Sequence, residues 1–189
     1  AGIMKENTPV VFADTDEEST AVFLEKAKDL SCDSYSVSKS HYTLLNFKNK
    51  SIDFSYVSRY DYNVKIHLNT LAKYQMENCT LALRAIEVLD AKREILPKVL
   101  AKGVEQTFWP GRMEEVLPEI FVDGAHNADG VRAFLETVQE DAFEGKRSLL
   151  FSVVSDKDYA QMLRKIAESG LFHKIYLAPE ECRLVSLKI

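Results

Sequence analysis

The stretch FVDGAHNADGVRAF, from Phe121 to Phe134, decides the fold of this chain. A short apolar run ends at Asp123, the sequence Gly-Ala-His-Asn follows, and apolar residues at helical spacing come next. This order predicts a strand that turns directly into a helix, which is the repeating unit of α/β proteins. It also places an acid, a histidine (His126) and an amide (Asn127) at the turn, where such proteins bind ligands.

The pattern stays regular through residue 178. EIFVDG predicts a strand, ADGVRAFLETVQE a helix, RSLLFSVV a strand, DYAQMLRKIAES a helix and KIYLAP a strand. This β-α-β-α-β order is typical of a parallel sheet with right-handed crossovers. We expect the first two strands to be neighbours. Asp123, His126 and Asn127, which follow the first, and Lys157, which follows the second, would then face one crevice.

The preceding residues have a different texture. PVVFA (Pro9–Ala13) predicts a strand, and the next segment predicts a helix with Thr15 or Asp16 as its N-cap. Residues 35–68 are rich in aromatic and β-branched side chains, which predicts three to five short antiparallel strands. Two helices are predicted over residues 73–90 and 93–107. The segment FWPGRMEEVLPE, with two prolines and a glycine, then predicts a domain boundary.

Composition excludes several classes of protein. Apolar residues make up 46% and charged residues 28% of the chain, an ordinary globular profile, and the net charge of −5 argues against a nucleic-acid partner. The three cysteines are scattered without a CxxC pair, so we expect no disulfide framework and a reducing, cytoplasmic setting. The sequence contains neither a signal peptide nor an apolar run long enough to span a membrane.

Common catalytic motifs are missing, and the candidate residues have structural alternatives. GAHNADG lacks the glycines of a dinucleotide-binding GxGxxG loop, and the sequence holds neither a GxSxG elbow nor a GxxxxGK[ST] loop. Asp123 could be a turn acid, Lys157 a solvated loop lysine, and Arg112 the ion-pair partner of Glu114 or Glu115. The residues alone leave these alternatives open beside a functional role.

Several motifs together resemble one family. AGIMK with PVVFA, then YQMEN, WPGRMEEV, DGAHNADG and SDKDY, occur in the order found in the folylpolyglutamate synthases, often also dihydrofolate synthases, of the Mur-ligase-like superfamily. The resemblance covers nearly the whole chain, and WPGR followed shortly by DGAHN is its most specific part. It implies an α/β protein. Residues 1–111 would be the end of a P-loop-type central ATPase domain: strand, helix, small antiparallel sheet and helices. Residues 112–189 would form a truncated, Rossmann-like, parallel-sheet glutamate-ligase domain.

The resemblance also implies an activity. Such enzymes use ATP to phosphorylate a folate carboxylate, and the amine of L-glutamate then attacks the acyl phosphate. ATP, Mg²⁺, L-glutamate and a folate or dihydropteroate are therefore the expected ligands of the parent protein, which is expected to be a cytoplasmic monomer. Two alternatives stay open: a non-catalytic nucleotide- or folate-binding module, and a Mur-type ligase for another acceptor.

Four residues match nucleotide contacts of that family. Asn78, with Gln75 nearby, looks like the adenine-side contact, which suits an amide because it both donates and accepts hydrogen bonds. Arg112 looks like the arginine that reaches the phosphates. Asp123 looks like the acid that accepts hydrogen bonds from the ribose hydroxyls.

Two further residues match the chemical centre. His126 resembles the histidine near the phosphate and glutamate site, and Lys157 the lysine that orients the incoming glutamate. The chain departs from the family at Ala128, where proline is usual, and at Ala72, where glycine is frequent. In the family, the P-loop and most metal and folate ligands precede AGIMK. The sequence is therefore expected to be a fragment that does not turn over ATP alone, and no metal ligand is assigned within it.

Overall fold

Two units make up the chain. The computed structural model describes residues 2–48, 50–60, 62–141, 143–154 and 157–178, together with the backbone of 186–188. The first unit comprises residues 1–69 and 74–107, and the second comprises 70–73 and 108–189. Each unit has its own sheets and helices, and each is described by itself below.

The first unit begins with a parallel strand pair joined by a helix. Strand β1 (Val10–Ala13) pairs in parallel with β2 (Ser34–Val37), and helix α1 (Glu17–Asp29) connects them. Asp16 caps the helix by accepting a hydrogen bond from the Ser19 N–H at 2.7 Å. The predicted strand, helix and N-cap are confirmed. Because β2 joins β1 in parallel, however, the start of the 35–68 region does not belong to the antiparallel sheet.

A three-stranded antiparallel sheet follows, formed by β3 (Tyr42–Lys48), β4 (Ser51–Val57) and β5 (Asn63–Leu68). Alternate side chains of the central and last strands are buried, as the period of two predicts for a sheet with one covered face. These side chains are Ile52, Phe54, Tyr56, Val64, Ile66 and Leu68. Burial of each contributes about 1.5–3 kcal/mol before the entropy of ordering is counted.

Two helices cover that face. Helix α2 (Gln75–Leu89) places Met76, Cys79 and Leu83 in the core, and burial raises the pKa of the Cys79 thiol to about 12. Helix α3 (Pro97–Glu105) begins with a proline in its first turn, where the missing N–H of proline costs no hydrogen bond. The core joins this helix to the sheet through Leu100.

The described residues of the second unit form one mixed sheet and two helices. Its strands are β6 (Glu114–Leu117), β7 (Ile120–Val122), β8 (Ser148–Phe151), β9 (Lys174–Leu177) and β10 (Ser186–Lys188). Its helices are α4 (Ala128–Glu140) and α5 (Tyr159–Glu168). The strand order is β6-β7-β10-β8-β9. Apolar side chains buried in this unit include Phe121, Val131, Phe134, Leu149, Met162 and Ile166.

The predicted β-α-β-α-β order is confirmed as β7-α4-β8-α5-β9, but the sheet is not purely parallel. Strand β10 pairs antiparallel with both β7 and β8, while β8 and β9 pair in parallel. Hence β7, β8 and β9 share one direction. The expectation that β7 and β8 are neighbours is wrong because β10 lies between them. Periodicity reveals the elements and favours their direction, but it does not give the order of strands across a sheet.

Candidate functional site

Two loops of the second unit meet at a pair of glycines. The N–H of Gly124 donates a hydrogen bond to the carbonyl of Gly111 at 2.7 Å. Gly111 has a φ of 67°, a left-handed conformation that glycine adopts without strain. A Cβ placed on Gly124 would lie 3.5 Å from Nη1 of Arg112. The arginine of WPGR therefore lies beside the backbone of DGAHN, and the two motifs are neighbours in the structure.

The carboxylate of Asp123 links these two loops through hydrogen bonds. Its side chain is buried, with 2% of the residue exposed. One carboxylate oxygen accepts a hydrogen bond from the Ala125 N–H at 2.9 Å, and the other accepts one from the Met113 N–H at 3.0 Å. The turn-acid role left open by the sequence is thus present. Each oxygen has a second lone pair, and the contact with a ribose stays a prediction.

His126 and Asn127 have different tasks at the end of this loop. The imidazole of His126 is exposed, and its Nδ1 lies 2.8 Å from the carbonyl of Gly124. Since a carbonyl only accepts, Nδ1 carries the proton, and Nε2 is the acceptor of the neutral ring. The side-chain oxygen of Asn127 accepts a hydrogen bond from the Gly130 N–H at 2.7 Å. Asn127 is therefore the N-cap of α4, and its oxygen is committed to that helix.

Arg112 does not form the ion pairs that the sequence left open. Among the described residues, no acidic side chain pairs with its guanidinium, and the residue is exposed. Glu114 instead accepts a hydrogen bond from the Gly111 N–H at 2.7 Å. Glu115 accepts one from the Glu119 N–H at 3.2 Å. The Arg112 side chain is thus presented at the surface of the second unit, with its charge available to an anion.

Lys157 lies at the end of another strand. It follows β8, and its backbone N–H donates to the carbonyl of Val154 at 3.2 Å. Because β10 separates β8 from β7, the structure does not show the single crevice that the sequence predicted for Lys157 and Asp123. The other half of the SDKD motif, Ser155 and Asp156, lies outside the described residues.

Gln75 and Asn78 form a pair at the start of α2 in the first unit. Gln75 is buried, with 3% exposed, whereas Asn78 is exposed. The amide nitrogen of Asn78 donates a hydrogen bond to the Gln75 oxygen at 2.8 Å. This bond fixes the orientation of the Asn78 amide, which also has an oxygen acceptor and a second N–H donor. The geometry suits a planar donor–acceptor contact, and Gln75 acts as the support.

The sequence missed a buried acid in the same unit. Glu87 accepts hydrogen bonds from the hydroxyls of Tyr56 and Ser58, each at 2.6 Å, and from the Arg59 N–H at 3.1 Å. Burial, followed by this contact with Glu87, raises the pKa of Tyr56 above its usual range. The sequence around Tyr56, Ser58 and Arg59 gave no sign of a shared acid partner, because Glu87 lies 28 to 31 residues downstream.

A small cavity opens beside Glu87. Its volume is about 140 Å³, and its walls include Tyr60, Tyr62, Arg93 and Leu100. The guanidinium of Arg93 lies 3.8 Å from the centre of the Tyr60 ring, a cation–π contact. Neither Gln75 nor Asn78 lines the cavity, so it is separate from the predicted nucleotide contacts.

A resident metal does not fit the described residues. Within them, no group of three His, Cys, Asp or Glu side chains could hold a metal ion. The Mg²⁺ implied by the family resemblance therefore has no set of ligands in this part of the chain. In the same residues, none of the helices is long and apolar enough to cross a membrane.

Comparison with known proteins first shows a similarity to a class of ligases. No family model matches the chain. It is 25% identical over 182 residues to the UDP-N-acetylmuramoyl-L-alanyl-D-glutamate--L-lysine ligase of Streptococcus pneumoniae serotype 2, covering 90% of this chain and 35% of that protein. The chain is therefore similar to a Mur-type ligase over most of its length, and its α/β fold agrees with that similarity.

Within that class the match is more specific. The chain is 28% identical over 186 residues to the dihydrofolate synthase/folylpolyglutamate synthase of Bacillus subtilis, covering 94% of this chain. A solved complex of FPGS with AMPPCP and folate superimposes with a TM-score of 0.79 at 21% identity, again over 94% of this chain. The chain is a homologue of the folylpolyglutamate synthases and matches a segment of them. It spans 42% of the Bacillus protein and 44% of the solved FPGS chain.

Proposed function

We propose that this chain supplies part of the site of an ATP-dependent ligase that adds L-glutamate to a folate or dihydropteroate carboxylate. The observation that carries the proposal is the Gly111–Gly124 hydrogen bond, which sets Arg112 beside the DGAHN loop. An exposed guanidinium on a fixed loop suits recognition of a phosphate. The similarity to folylpolyglutamate synthases over 94% of the chain supports the choice of substrates.

The chemistry requires two displacements. A carboxylate oxygen of the folate attacks the γ-phosphorus of ATP, and ADP leaves. The amine of glutamate then attacks the acyl phosphate carbon, loses a proton, and phosphate leaves. Phosphoryl transfer of this kind depends mainly on positioning and on neutralisation of charge. No step is assigned to Mg²⁺, since the described residues hold no ligand set for it.

Each predicted residue receives a part in this proposal. The Asn78 amide, held by Gln75, contacts the adenine, and the Asp123 carboxylate accepts hydrogen bonds from the ribose hydroxyls. Arg112 neutralises charge on the phosphates. Lys157 contacts the glutamate, and His126, which is exposed, lies near the glutamate and the reacting phosphate.

The proposal also covers the location, the oligomeric state and the domain bounds of the parent protein. The parent protein would act as a cytoplasmic monomer, with residues 1–111 as the end of an ATPase domain and 112–189 as a glutamate-ligase domain. The triphosphate loop and the Mg²⁺ ligands would come from a segment outside this sequence. The 189-residue chain alone would then bind nucleotide weakly and would not release ADP in the presence of glutamate.

A nucleotide titration of the isolated chain tests the binding half of the proposal. ATP added in steps should shift the backbone amide resonances of Asn78, Gly124 and His126 in a ¹⁵N spectrum. Arg112→Ala should weaken the response of Gly124 by about tenfold, the effect of losing one charge-assisted contact. Arg132→Ala, in which an exposed arginine is removed from a surface ion pair, is the matched control. Absence of shifts at all three residues would contradict the assignment.

Kinetics of the complete ligase test the chemical half. Arg112→Ala and Asp123→Ala should each raise the ATP concentration needed for half-maximal rate. Replacing L-glutamate by L-lysine separates this function from that of the Streptococcus relative, whose name specifies lysine. Turnover with lysine alone would support the Mur-type alternative. Nucleotide binding without turnover of either amino acid would support the non-catalytic module.

A further inference from the structure

We propose that Glu114 is a positioning residue that fixes Arg112 for anion binding by holding Gly111 in its left-handed conformation. The inference rests on the proposed function for the nature of the anion. The contacts that support it lie in the second unit, at the residues on either side of Arg112.

Gly111, the residue before Arg112, forms hydrogen bonds through both its backbone N–H and its carbonyl. The N–H of Gly111 donates to the Glu114 carboxylate at 2.7 Å, and its carbonyl accepts from the Gly124 N–H at 2.7 Å. A carboxylate acceptor makes the first of these a charge-assisted bond, about twice as strong as a neutral one. With φ at 67°, Gly111 has a conformation that other residues rarely adopt.

The residue after Arg112 is held as well. Met113 is buried and has a φ of 48°, which is unusual for a residue with a Cβ. Its N–H donates to the buried Asp123 carboxylate at 3.0 Å. The carbonyl of Arg112 itself accepts a longer hydrogen bond from the Thr70 hydroxyl, at 3.4 Å. The backbone is thus fixed around Arg112, whereas the Arg112 side chain is exposed.

The fixed backbone around Arg112 lowers the entropic cost of binding an anion. An anion that meets a fixed backbone has to order only the side-chain rotamers of Arg112, so less entropy is lost on binding. The position of Glu114 matters for a second reason. By accepting the Gly111 N–H, its carboxylate is kept in a backbone contact instead of neutralising the neighbouring guanidinium. Glu114 therefore favours anion binding although it carries a negative charge itself.

Pyrophosphate binding to the 189-residue chain tests this role. Affinity is measured by NMR titration for the wild type, Glu114→Ala, Glu114→Gln and Arg112→Ala. Glu114→Ala should weaken binding about fivefold, which corresponds to the net free energy of one hydrogen bond. Glu114→Gln keeps an oxygen acceptor and should stay within about twofold of the wild type. Glu115→Ala, at the adjacent acid, is the matched control and should leave affinity unchanged.

A double-mutant cycle separates positioning from a general loss of structure. If Glu114 acts through Arg112, then Glu114→Ala should not weaken binding further in the Arg112→Ala background. An equal loss in both backgrounds would overturn the inference. So would Glu114→Gln binding as weakly as Glu114→Ala, or Glu114→Ala binding like the wild type. If Glu114→Ala does not fold, Glu114→Asp, shorter by one methylene, takes its place with the same expected loss.

Hydrogen exchange gives a readout that does not depend on the proposed function. The Gly111 amide should exchange faster in Glu114→Ala than in Glu114→Gln or the wild type. Unchanged exchange of Gly111 would overturn the positioning role. Absence of pyrophosphate binding in the wild type would instead refute the phosphate role of Arg112, together with the anion-binding part of this inference.

Discussion

Asp123 accepts a hydrogen bond at 3.0 Å from the backbone N–H of Met113, ten residues earlier in the chain. The two residues belong to motifs that the sequence shows only as separate signals. Met113 has a left-handed φ of 48° and is buried, so its N–H needs a partner inside the protein. The Asp123 carboxylate provides that partner and also holds the Ala125 N–H. Asp123 therefore builds the site before it can contact any ligand.

Loss of this carboxylate should destabilise the second unit. Asp123→Ala leaves two buried N–H groups without acceptors, and we expect the free energy of unfolding to fall by about 2 kcal/mol or more. Urea unfolding followed by fluorescence of Trp109, the only tryptophan in the sequence, reports on this unit. Asp129→Ala is the control, because the Asp129 side chain is 90% exposed. Equal stability of the two variants would show that Asp123 has no structural role.

The contact between Gln75 and Asn78 predicts a coupled effect on nucleotide binding. Asn78→Ala removes the proposed adenine contact, and Gln75→Leu keeps the buried volume while releasing the Asn78 amide. Each change should weaken ATP binding, and the double variant should bind no more weakly than Asn78→Ala alone. Calorimetric titration of the four proteins measures this. Additive losses would mean that Gln75 does not act through Asn78.

The buried acid of the first unit predicts a large effect on stability. In Glu87→Gln, an amide nitrogen replaces one carboxylate oxygen. Either the Ser58 hydroxyl, or the Tyr56 hydroxyl together with the Arg59 N–H, then loses its acceptor. We expect the free energy of unfolding of this unit to fall by about 3 kcal/mol. Far-UV circular dichroism in urea follows the transition. Glu77→Gln in the same helix, where the acid accepts only a 3.5 Å bond from Tyr42, should change stability by less than about 0.5 kcal/mol.

Periodicity predicted the elements of the fold better than their arrangement. The helix ADGVRAFLETVQE is observed as Ala128–Glu140, since its buried face has a strong period and Asn127 supplies an N-cap. Ile86 and Leu89 have helical spacing in the predicted helix 73–90, yet these residues are 36% and 84% exposed. Spacing shows which residues share a face of a helix. It does not show how far along the helix the sheet extends beneath that face.

Only some of the site residues could be predicted from the sequence, because the role of the others depends on tertiary geometry. Residue type and position at a strand end identified Asp123 and His126 as candidates, and the boundary motif WPGR identified Arg112. The role of Glu114 depends on the hydrogen bond to Gly111, which exists only because the chain turns through a left-handed glycine. Such bonds between side chain and backbone follow from tertiary geometry, and the sequence contains only the acid and the glycine. The placement of β10 between β7 and β8 is likewise a property of the assembled sheet.

The histidine of the antiparallel sheet predicts a pH-dependent stability. His67 Nδ1 lies 2.8 Å from Asp53 and Nε2 lies 3.0 Å from the Asn69 oxygen, so both ring nitrogens face acceptors. The hydrogen bond with Asp53 raises the pKa of His67 above 6.5, and the same bond lowers the pKa of Asp53 below 3.8. The stabilisation is therefore complete between about pH 4 and 6.5 and is lost as the pH rises through the His67 pKa or falls through the Asp53 pKa.

Its size should be less than about 1 kcal/mol, because the His67 side chain is 37% exposed and the pair is screened by solvent. Urea unfolding of the first unit at pH 5.5 and pH 8 should show higher stability at the lower pH, and His67→Gln should reduce that difference. His173→Gln, at an exposed histidine of the second unit, should leave the difference unchanged. A difference that persists in His67→Gln would assign the pH dependence to other groups.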